Sequence, residues 1–174
     1  PALHPRRYCE GDARRRDRAR VVDADRESAL TSHAGKERIA SCGCGGLKAA
    51  ISGEPSDIYV CSCEVCQQRS GGAFTYAAIF PEADVTVTGE SRSWRRKAQS
   101  GRWIENSFCP TCGSQVFAHI SDEIGINLGA FDAPDQFTPT YELWAIRREG
   151  WLPEFPGMRR YDRNRESEGR TEET

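Results

Sequence analysis

Seven of the eight cysteines in this 174-residue chain fall into three tight clusters. The clusters are Cys42-x-Cys44, Cys61-x-Cys63-x-x-Cys66 and Cys109-x-x-Cys112. Thiolates are preferred zinc ligands, and this close spacing is typical of metal-binding turns. A structural zinc is closed by four protein ligands, whereas a catalytic zinc keeps one coordination position open. Seven cysteines therefore fit one closed site and one open site.

Turn-forming residues favour one particular grouping of these cysteines. Gly45 and Gly46 follow the first pair, and Pro110 and Gly113 surround the last pair, so both pairs are expected on tight turns. The closed structural zinc is then predicted to be held by four ligands: Cys42, Cys44, Cys109 and Cys112. The three that remain, Cys61, Cys63 and Cys66, are predicted to hold the open, catalytic zinc.

Other interpretations of the clusters stay open from the residues alone. The chain can hold a single structural zinc, with the three-cysteine cluster free or redox-active. The closely spaced thiolates also suit an iron–sulfur cluster, although a fourth protein ligand is missing. His119 is a candidate eighth ligand, although a lone strand histidine is more often hydrogen-bonded. Cys9 lies far from the other seven.

An open zinc site would present its metal to water or to a thiol that the ion deprotonates. Three thiolates with Zn²⁺ carry a formal negative charge, so cations are expected nearby. Arg69 is the nearest cation in the sequence and is the candidate substrate-binding residue. The run Arg95-Arg96-Lys97 is a second candidate for holding an anionic substrate, although such runs are more often solvated.

Short β-branched and aromatic stretches, separated by turn residues about every ten positions, predict a mainly β core. Strands are expected at residues 47–51, 58–61, 73–80, 85–88, 92–97, 102–108, 115–120, 124–128 and 141–146. One or two helical turns are expected at residues 64–70, ended by Gly71-Gly72. No sustained helical periodicity is present.

The two ends of the chain differ from this core in composition. Residues 1–40 carry ten Lys or Arg against seven Asp or Glu, and residues 157–174 carry five of each. Such charge-dense segments bury too little apolar surface to offset the entropy of ordering. We therefore predict a flexible arm at 1–38, a zinc domain at 39–156 and a flexible tail at 157–174.

Composition also bears on compartment and partners. No apolar run is long enough to span a membrane and no signal peptide is evident, so a cytoplasmic protein is expected. Residues 41–156 carry nine Lys or Arg against fourteen Asp or Glu, which disfavours nucleic acid as a partner. The basic run at 14–20 is interspersed with acids and is interpreted as solvated.

The ordered motifs together resemble those of a known family. Cys42-Gly-Cys-Gly45, Cys61-Ser-Cys-Glu-Val-Cys66 followed by Arg69-Ser-Gly71, and Phe108-Cys-Pro-Thr-Cys-Gly113 look like the glutathione-dependent formaldehyde-activating enzymes, the CENP-V/GFA domain. Leu128-Gly-Ala-Phe-Asp-Ala-Pro134 and Trp151 are similar to its C-terminal half. The resemblance covers roughly residues 39–155.

This resemblance implies a zinc-stabilised fold of several coiled β-sheets, sometimes called a β-tent. It implies two zincs per chain, held by the same two sets of cysteines. It also implies a carbon–sulfur lyase that joins glutathione and formaldehyde into S-hydroxymethylglutathione. Family members often have His where this chain has Gly43 and Ser62, and neither position is a presumed ligand. The alternative is a non-enzymatic zinc-stabilised β domain that binds protein or nucleic acid.

Overall fold

The computed structural model of the protein describes residues 37–165, which form a mainly β fold with one α-helix. The strands are β1 (Arg38–Ser41), β2 (Lys48–Ile51), β3 (Asp57–Cys61), β4 (Thr75–Pro81), β5 (Val85–Thr88), β6 (Arg92–Lys97), β7 (Trp103–Phe108), β8 (Gln115–Ile120), β9 (Glu123–Asn127), β10 (Tyr141–Leu143) and β11 (Arg159–Tyr161). Helix α1 spans Glu64–Ser70, and short 3-10 helices lie at Glu82–Asp84, Leu128–Ala130 and Ala145–Arg147. The prediction of a mainly β fold with short helical turns is confirmed.

The strands form two separate sheets. The smaller is an antiparallel sheet in the order β1-β2-β5, and the larger has eight strands in the order β11-β10-β3-β4-β9-β8-β7-β6. Strand β10 is parallel to both β3 and β11, while the other neighbours in the large sheet are antiparallel. The parallel insertion of β10 beside β3 brings the end of the domain next to the middle cysteine cluster.

The hydrophobic core includes buried side chains from both sheets. Leu47 and Ile51, from the region of the small sheet, belong to one cluster with Phe80, Ile124 and Ile126 of the large sheet. Successive side chains of a strand point to opposite faces, so one face of the large sheet is used for this core. Its other face is left for the cavity described below.

Most predicted elements lie close to the observed ones. Strands were expected at 85–88, 92–97 and 115–120 and a helix at 64–70, and all four are found at those positions. The helix ends as predicted, because Gly71 adopts a left-handed conformation with φ of 63° and donates its N–H to the Gln67 carbonyl.

The last part of the domain differs from the expectation. The strand expected at 141–146 ends at Leu143, because Trp144 takes a positive φ of 59° and the chain turns into a 3-10 helix. Strand β11 lies beyond residue 156, in the segment predicted to be a flexible tail. It is held by pairing with β10 and by edge-on packing of Tyr161 against Tyr141, a long-range contact.

Several predictions fall outside the described residues. The arm, apart from Glu37 and Arg38, and residues 166–174 of the tail lie there, as do Cys9 and the basic run at 14–20. None of the helices at 37–165 is long and apolar enough to cross a membrane.

Candidate metal centres and the adjoining cavity

Two turns of similar construction carry the first four cysteines. In the β1–β2 turn, the Cys42 N–H donates to the Leu47 carbonyl at 2.9 Å and the Gly45 N–H donates to the Cys42 carbonyl at 2.9 Å. In the β7–β8 turn, the Cys109 N–H donates to the Ser114 carbonyl at 3.0 Å. A glycine with a φ of 76° follows the second cysteine of each pair, Gly45 in one turn and Gly113 in the other. Glycine adopts this left-handed conformation without steric cost, which allows both turns to close tightly.

These two turns meet and bring four sulfur atoms together. The Ser114 hydroxyl accepts the Gly43 N–H at 3.1 Å and so ties the two turns to each other. The Sγ–Sγ distances are 3.5 Å for Cys42 to Cys44 and 3.6 Å for Cys44 to Cys109, and all four sulfurs lie within 4.8 Å of one another. Tetrahedral zinc with Zn–S bonds of about 2.3 Å places its sulfurs about 3.8 Å apart. The four-cysteine cluster therefore has the geometry of a closed zinc site.

The other three cysteines are brought together by the transition from β3 to α1. Cys61 ends the strand, Cys63 is the residue before the helix, and Cys66 lies in the first turn. Their sulfurs also lie within 4.8 Å of one another. Ser62, between the first two, is fully buried and its N–H donates to the Leu143 carbonyl at 3.0 Å. The parallel pairing of β3 with β10 therefore helps to hold the backbone between Cys61 and Cys63 in place.

Hydrogen bonding among the three thiols shifts the pKa values of Cys61 and Cys66 in opposite directions. Hydrogen bonds from the thiols of Cys61 and Cys63, helped by the positive charge of Arg69, hold the pKa of Cys66 well below its usual value. The thiol interactions with Cys63 and Cys66, together with burial, raise the pKa of Cys61. Arg69 Nη2 lies 3.9 Å from the Cys66 Sγ, one helical turn away. All seven described cysteines are free thiols, and they form two sets that can hold a metal ion.

A cavity of about 570 Å³ adjoins the three-cysteine cluster on the large sheet. Asp57, Tyr59 and Cys61 alternate along β3 and all three line it. A row of paired residues crosses the sheet and lines the same cavity: Arg96, Ile104, Ile120 and Glu123. The cavity is large enough for a small-molecule ligand. All three cysteines of the cluster border it, whereas the four-cysteine cluster does not.

The cavity is lined by more cations than acids. Four arginines contribute to its wall: Arg96, Arg102, Arg147 and Arg165. The acids are Asp57, Glu64 and Glu123. Arg165 Nη2 pairs with Asp57 Oδ2 at 2.7 Å, whereas the buried Nε of Arg96 has no hydrogen-bond partner among residues 37–165. Such a wall favours a ligand with carboxylates.

Tyr59 and Tyr141, which both line the large cavity, stack with their ring centroids 6.1 Å apart. Burial raises the pKa of Tyr59, so its hydroxyl stays protonated at neutral pH. Burial and a 2.6 Å hydrogen bond to Asp57 Oδ2 also raise the pKa of Tyr141. The Tyr141 hydroxyl is thus already engaged. Among the residues that line the cavity, Tyr59 carries the neutral hydrogen-bond donor nearest in sequence to Cys61.

Of the other predicted site residues, some line the large cavity and others do not. Arg69 contacts Cys66, but it lines a second, smaller cavity rather than the large one. Of the run Arg95-Arg96-Lys97, only Arg96 lines the large cavity, because strand alternation turns its two neighbours to the other face. His119 belongs to neither cysteine cluster and instead lies 3.6 Å from Glu82 Oε1.

Several lining residues were missed by the sequence analysis: Tyr59, Arg102, Tyr141, Arg147 and Arg165. Tyr59 had a usable signal, since it lies two residues before Cys61 and therefore on the same face of a strand. Tyr141, Arg147 and Arg165 come from the C-terminal segment, which the pairing of β10 beside β3 brings to the cavity. Arg102 comes from the β6–β7 turn.

Comparison with known proteins adds two findings. A profile described as "Glutathione-dependent formaldehyde-activating enzyme" matches residues 37–147. The crystal structure of a Rhodobacter sphaeroides protein is similar, with a TM-score of 0.45 and 20% sequence identity. That similarity covers 56% of this chain and 91% of the other chain.

Proposed function

Because the chain belongs to the glutathione-dependent formaldehyde-activating enzyme family, we propose that it joins a glutathione-like thiol to an aldehyde such as formaldehyde. The product with those substrates is S-hydroxymethylglutathione, and the reaction class is that of the carbon–sulfur lyases. One observation carries this proposal. Cys61, Cys63 and Cys66 share a cavity of about 570 Å³ with four arginines.

We assign one zinc ion to each cysteine cluster, with Cys42, Cys44, Cys109 and Cys112 holding the structural ion. Cys61, Cys63 and Cys66 form the open site, because no fourth cysteine of residues 37–165 joins this cluster and all three border the cavity. When bound there, zinc would favour ionisation of the substrate thiol and hold it as a thiolate beside the aldehyde carbon. Arg69, 3.9 Å from Cys66 Sγ, would partly offset the negative charge of the three thiolates.

The arginines of the cavity suit the two carboxylates of glutathione. Arg96 and Arg102 lie at the end of the β6–β7 hairpin, and Arg147 and Arg165 come from the C-terminal part of the domain. Gln67 helps to place Arg147, because its side-chain amide donates to the Arg147 carbonyl at 3.1 Å. Glu64 and Glu123 are available for the substrate ammonium group. These contacts would hold the substrate thiol beside the cysteine cluster. The rate enhancement would then come largely from positioning of the thiol.

Tyr59 is the side chain best placed to assist the aldehyde. Its hydroxyl is protonated at neutral pH, as burial raises its pKa further, and hydrogen-bond donation to the carbonyl oxygen would stabilise the charge that develops as the C–S bond forms. The oxygen of the product finally carries a proton, which balances the proton lost by the substrate thiol.

Replacing Arg96 tests this substrate assignment. Arg96→Gln removes a guanidinium whose buried Nε has no partner among the described residues, and we expect KM for glutathione to rise about tenfold. KM for 2-mercaptoethanol, which has no carboxylate, should be unchanged. Arg95→Gln is the matched control, because Arg95 carries the same charge on the same strand but pairs with Glu105 instead. Equal effects of the two substitutions on glutathione would contradict the assignment.

The function itself is tested by exchange NMR with ¹³C-formaldehyde and glutathione. Thiol and formaldehyde combine without a catalyst, so the relevant quantity is the exchange rate above that background. We expect the protein to accelerate exchange in proportion to its concentration. A binding module that uses zinc only for folding would leave the background rate unchanged.

We further propose that residues 39–156, extended by β11, constitute the catalytic domain, and that the protein works in the cytoplasm. A reducing compartment keeps clustered thiols available for metal.

A further inference from the structure

A second cavity, of about 290 Å³, lies between α1 and the strands at the β6 edge of the large sheet. Its walls include Val65, Gln68 and Arg69 of the helix and Trp94, Phe108 and Gln115 of the strands. We propose that this cavity is a separate binding site for a small planar carboxylate, which pairs with Arg69 and stacks on Trp94. The proposal goes beyond the thiol–aldehyde chemistry assigned to the larger cavity.

The charge of the second cavity comes from Arg69. Its Nη1 donates to Asn127 Oδ1 at a long 3.5 Å, and its Nη2 lies 3.9 Å from the Cys66 sulfur. Its Nε is buried without a hydrogen-bond partner among residues 37–165. No carboxylate of the described residues lies within ion-pair distance, and no acid lines this cavity. A guanidinium with unused donors in a partly enclosed space is an anion-binding group.

Aromatic surface lies on the strand side of the same cavity. Trp94 of β6 is 40% exposed although its ring is large and apolar. In the β6–β7 register Trp94 faces Asn106, which places Phe108 as its diagonal neighbour on the same face. Two ring systems on one wall favour a flat ligand, because planar groups bury the most area against them.

Gln115, which also lines the cavity, forms an amide pair with Asn106. Asn106 is only 1% exposed, and its Oδ1 accepts a hydrogen bond from Gln115 Nε2 at 3.2 Å. The Asn106 Nδ2 is buried without a partner among the described residues. Gln115 itself lines the cavity, so this amide pair provides polar groups close to the ligand.

These features select a class of ligand. One guanidinium without a lysine or a second arginine suits a single negative charge better than a phosphate dianion. The volume, about half that of the larger cavity, suits a ring with one carboxylate rather than a tripeptide. Only Val65 lines both cavities, so the two ligands need not exclude each other.

Benzoate is the probe that tests the proposal, titrated into the ¹⁵N-labelled, metal-loaded full chain. The readouts are the shift of the Trp94 indole N–H signal, assigned by its loss in Trp94→Phe, and the shifts of the backbone amide signals of Arg69 and Gln115. The amide signals remain when Trp94 is replaced, so they report binding in that variant. We expect saturable binding of benzoate, with benzamide and acetate binding at least about tenfold more weakly. Benzamide lacks the charge and acetate lacks the ring, so each removes one of the two proposed contacts.

Three variants locate the bound probe. Arg69→Gln and Trp94→Leu should each weaken benzoate binding by about tenfold or more, whereas Arg102→Gln, in the larger cavity, should not. Because Arg69 also contacts Cys66, Arg69→Gln can disturb the cysteine cluster as well as the second cavity. Trp94→Leu tests the cavity without changing that contact. Absence of saturable binding would overturn the proposal. So would binding that is lost in Arg102→Gln and retained in Trp94→Leu. Neither readout depends on thiol or aldehyde turnover, so failure here is distinguishable from failure of the proposed function.

Discussion

Cys63→Ser is expected to abolish glutathione-dependent aldehyde turnover while the domain remains folded. Cys63 contributes one of only three thiolates bordering the large cavity, and it is less buried than Cys61 and Cys66. A hydroxyl in its place is a far weaker zinc ligand, because it is not deprotonated at neutral pH. When a site with three protein ligands loses one of them, it should no longer hold its zinc, and catalysis should be lost with the metal.

The measurement pairs exchange NMR with zinc content and a thermal melt of the same sample. Exchange should fall to the uncatalysed background, zinc should fall by one ion per chain, and Tm should change by a few degrees. Ser62→Ala is the matched control. Its hydroxyl is fully buried without a partner among residues 37–165, so removing it should leave zinc, Tm and exchange rate nearly unchanged. A Cys63→Ser protein with full zinc content and full exchange would show that the open-site mechanism is wrong.

Cys109→Ser, the same chemical change in the other cluster, is expected to unfold the domain. Cys109 is 2% exposed, belongs to the hydrophobic core cluster and lies 3.6 Å from the Cys44 sulfur. A structural zinc contributes about 10–16 kcal/mol of binding free energy that becomes folding free energy. This is as large as the whole stability of about 5–15 kcal/mol of a typical domain. Loss of most of that contribution should leave no stable native state.

Far-UV circular dichroism and a thermal melt check this second prediction. We expect Cys109→Ser to lack a cooperative transition, and wild-type protein to lose its transition when a strong chelator removes the metal. Cys63→Ser is the control, because it makes the same atomic replacement in the cluster that does not join the two turns. A Cys109→Ser melt within a few degrees of wild type would contradict a structural role for the four-cysteine site.

The tight turns that carry the cysteine pairs were predictable because their information is local. Spacings of two and three residues restrict each pair to one turn, and Gly45 and Gly113 mark those turns. Helix α1 was predictable for the same reason, since Gly71 supplies a left-handed C-cap. The strands Val85–Thr88 and Gln115–Ile120 follow from alternation or β-branched content bounded by turn residues.

The cavity was not predictable because its cations come from the β6–β7 hairpin and from two separate places in the C-terminal part of the domain. Arg96, Arg102, Arg147 and Arg165 meet only because β10 inserts in parallel between β3 and β11, and no short-range pattern encodes that pairing. Strand β11, with the sequence Arg-Arg-Tyr, is too short and too charged to suggest a strand by composition. Its position depends on β10 and on the Tyr141–Tyr161 contact.

For Arg69, the sequence predicts the contact with a neighbouring cysteine but not the cavity that the side chain lines. Helical spacing of three residues predicts the observed contact with Cys66. Which cavity the guanidinium enters depends on how α1 lies across the sheet, and this tertiary arrangement directs it to the smaller one.

The metal content of the wild-type chain, purified without added metal, tests the central claim most directly. Elemental analysis should find about two zinc ions per chain, one for each cysteine cluster. A Cys63→Ser sample should retain one. Iron in place of zinc would contradict the account, and so would a single zinc that does not rise to two when the chain is dialysed against zinc.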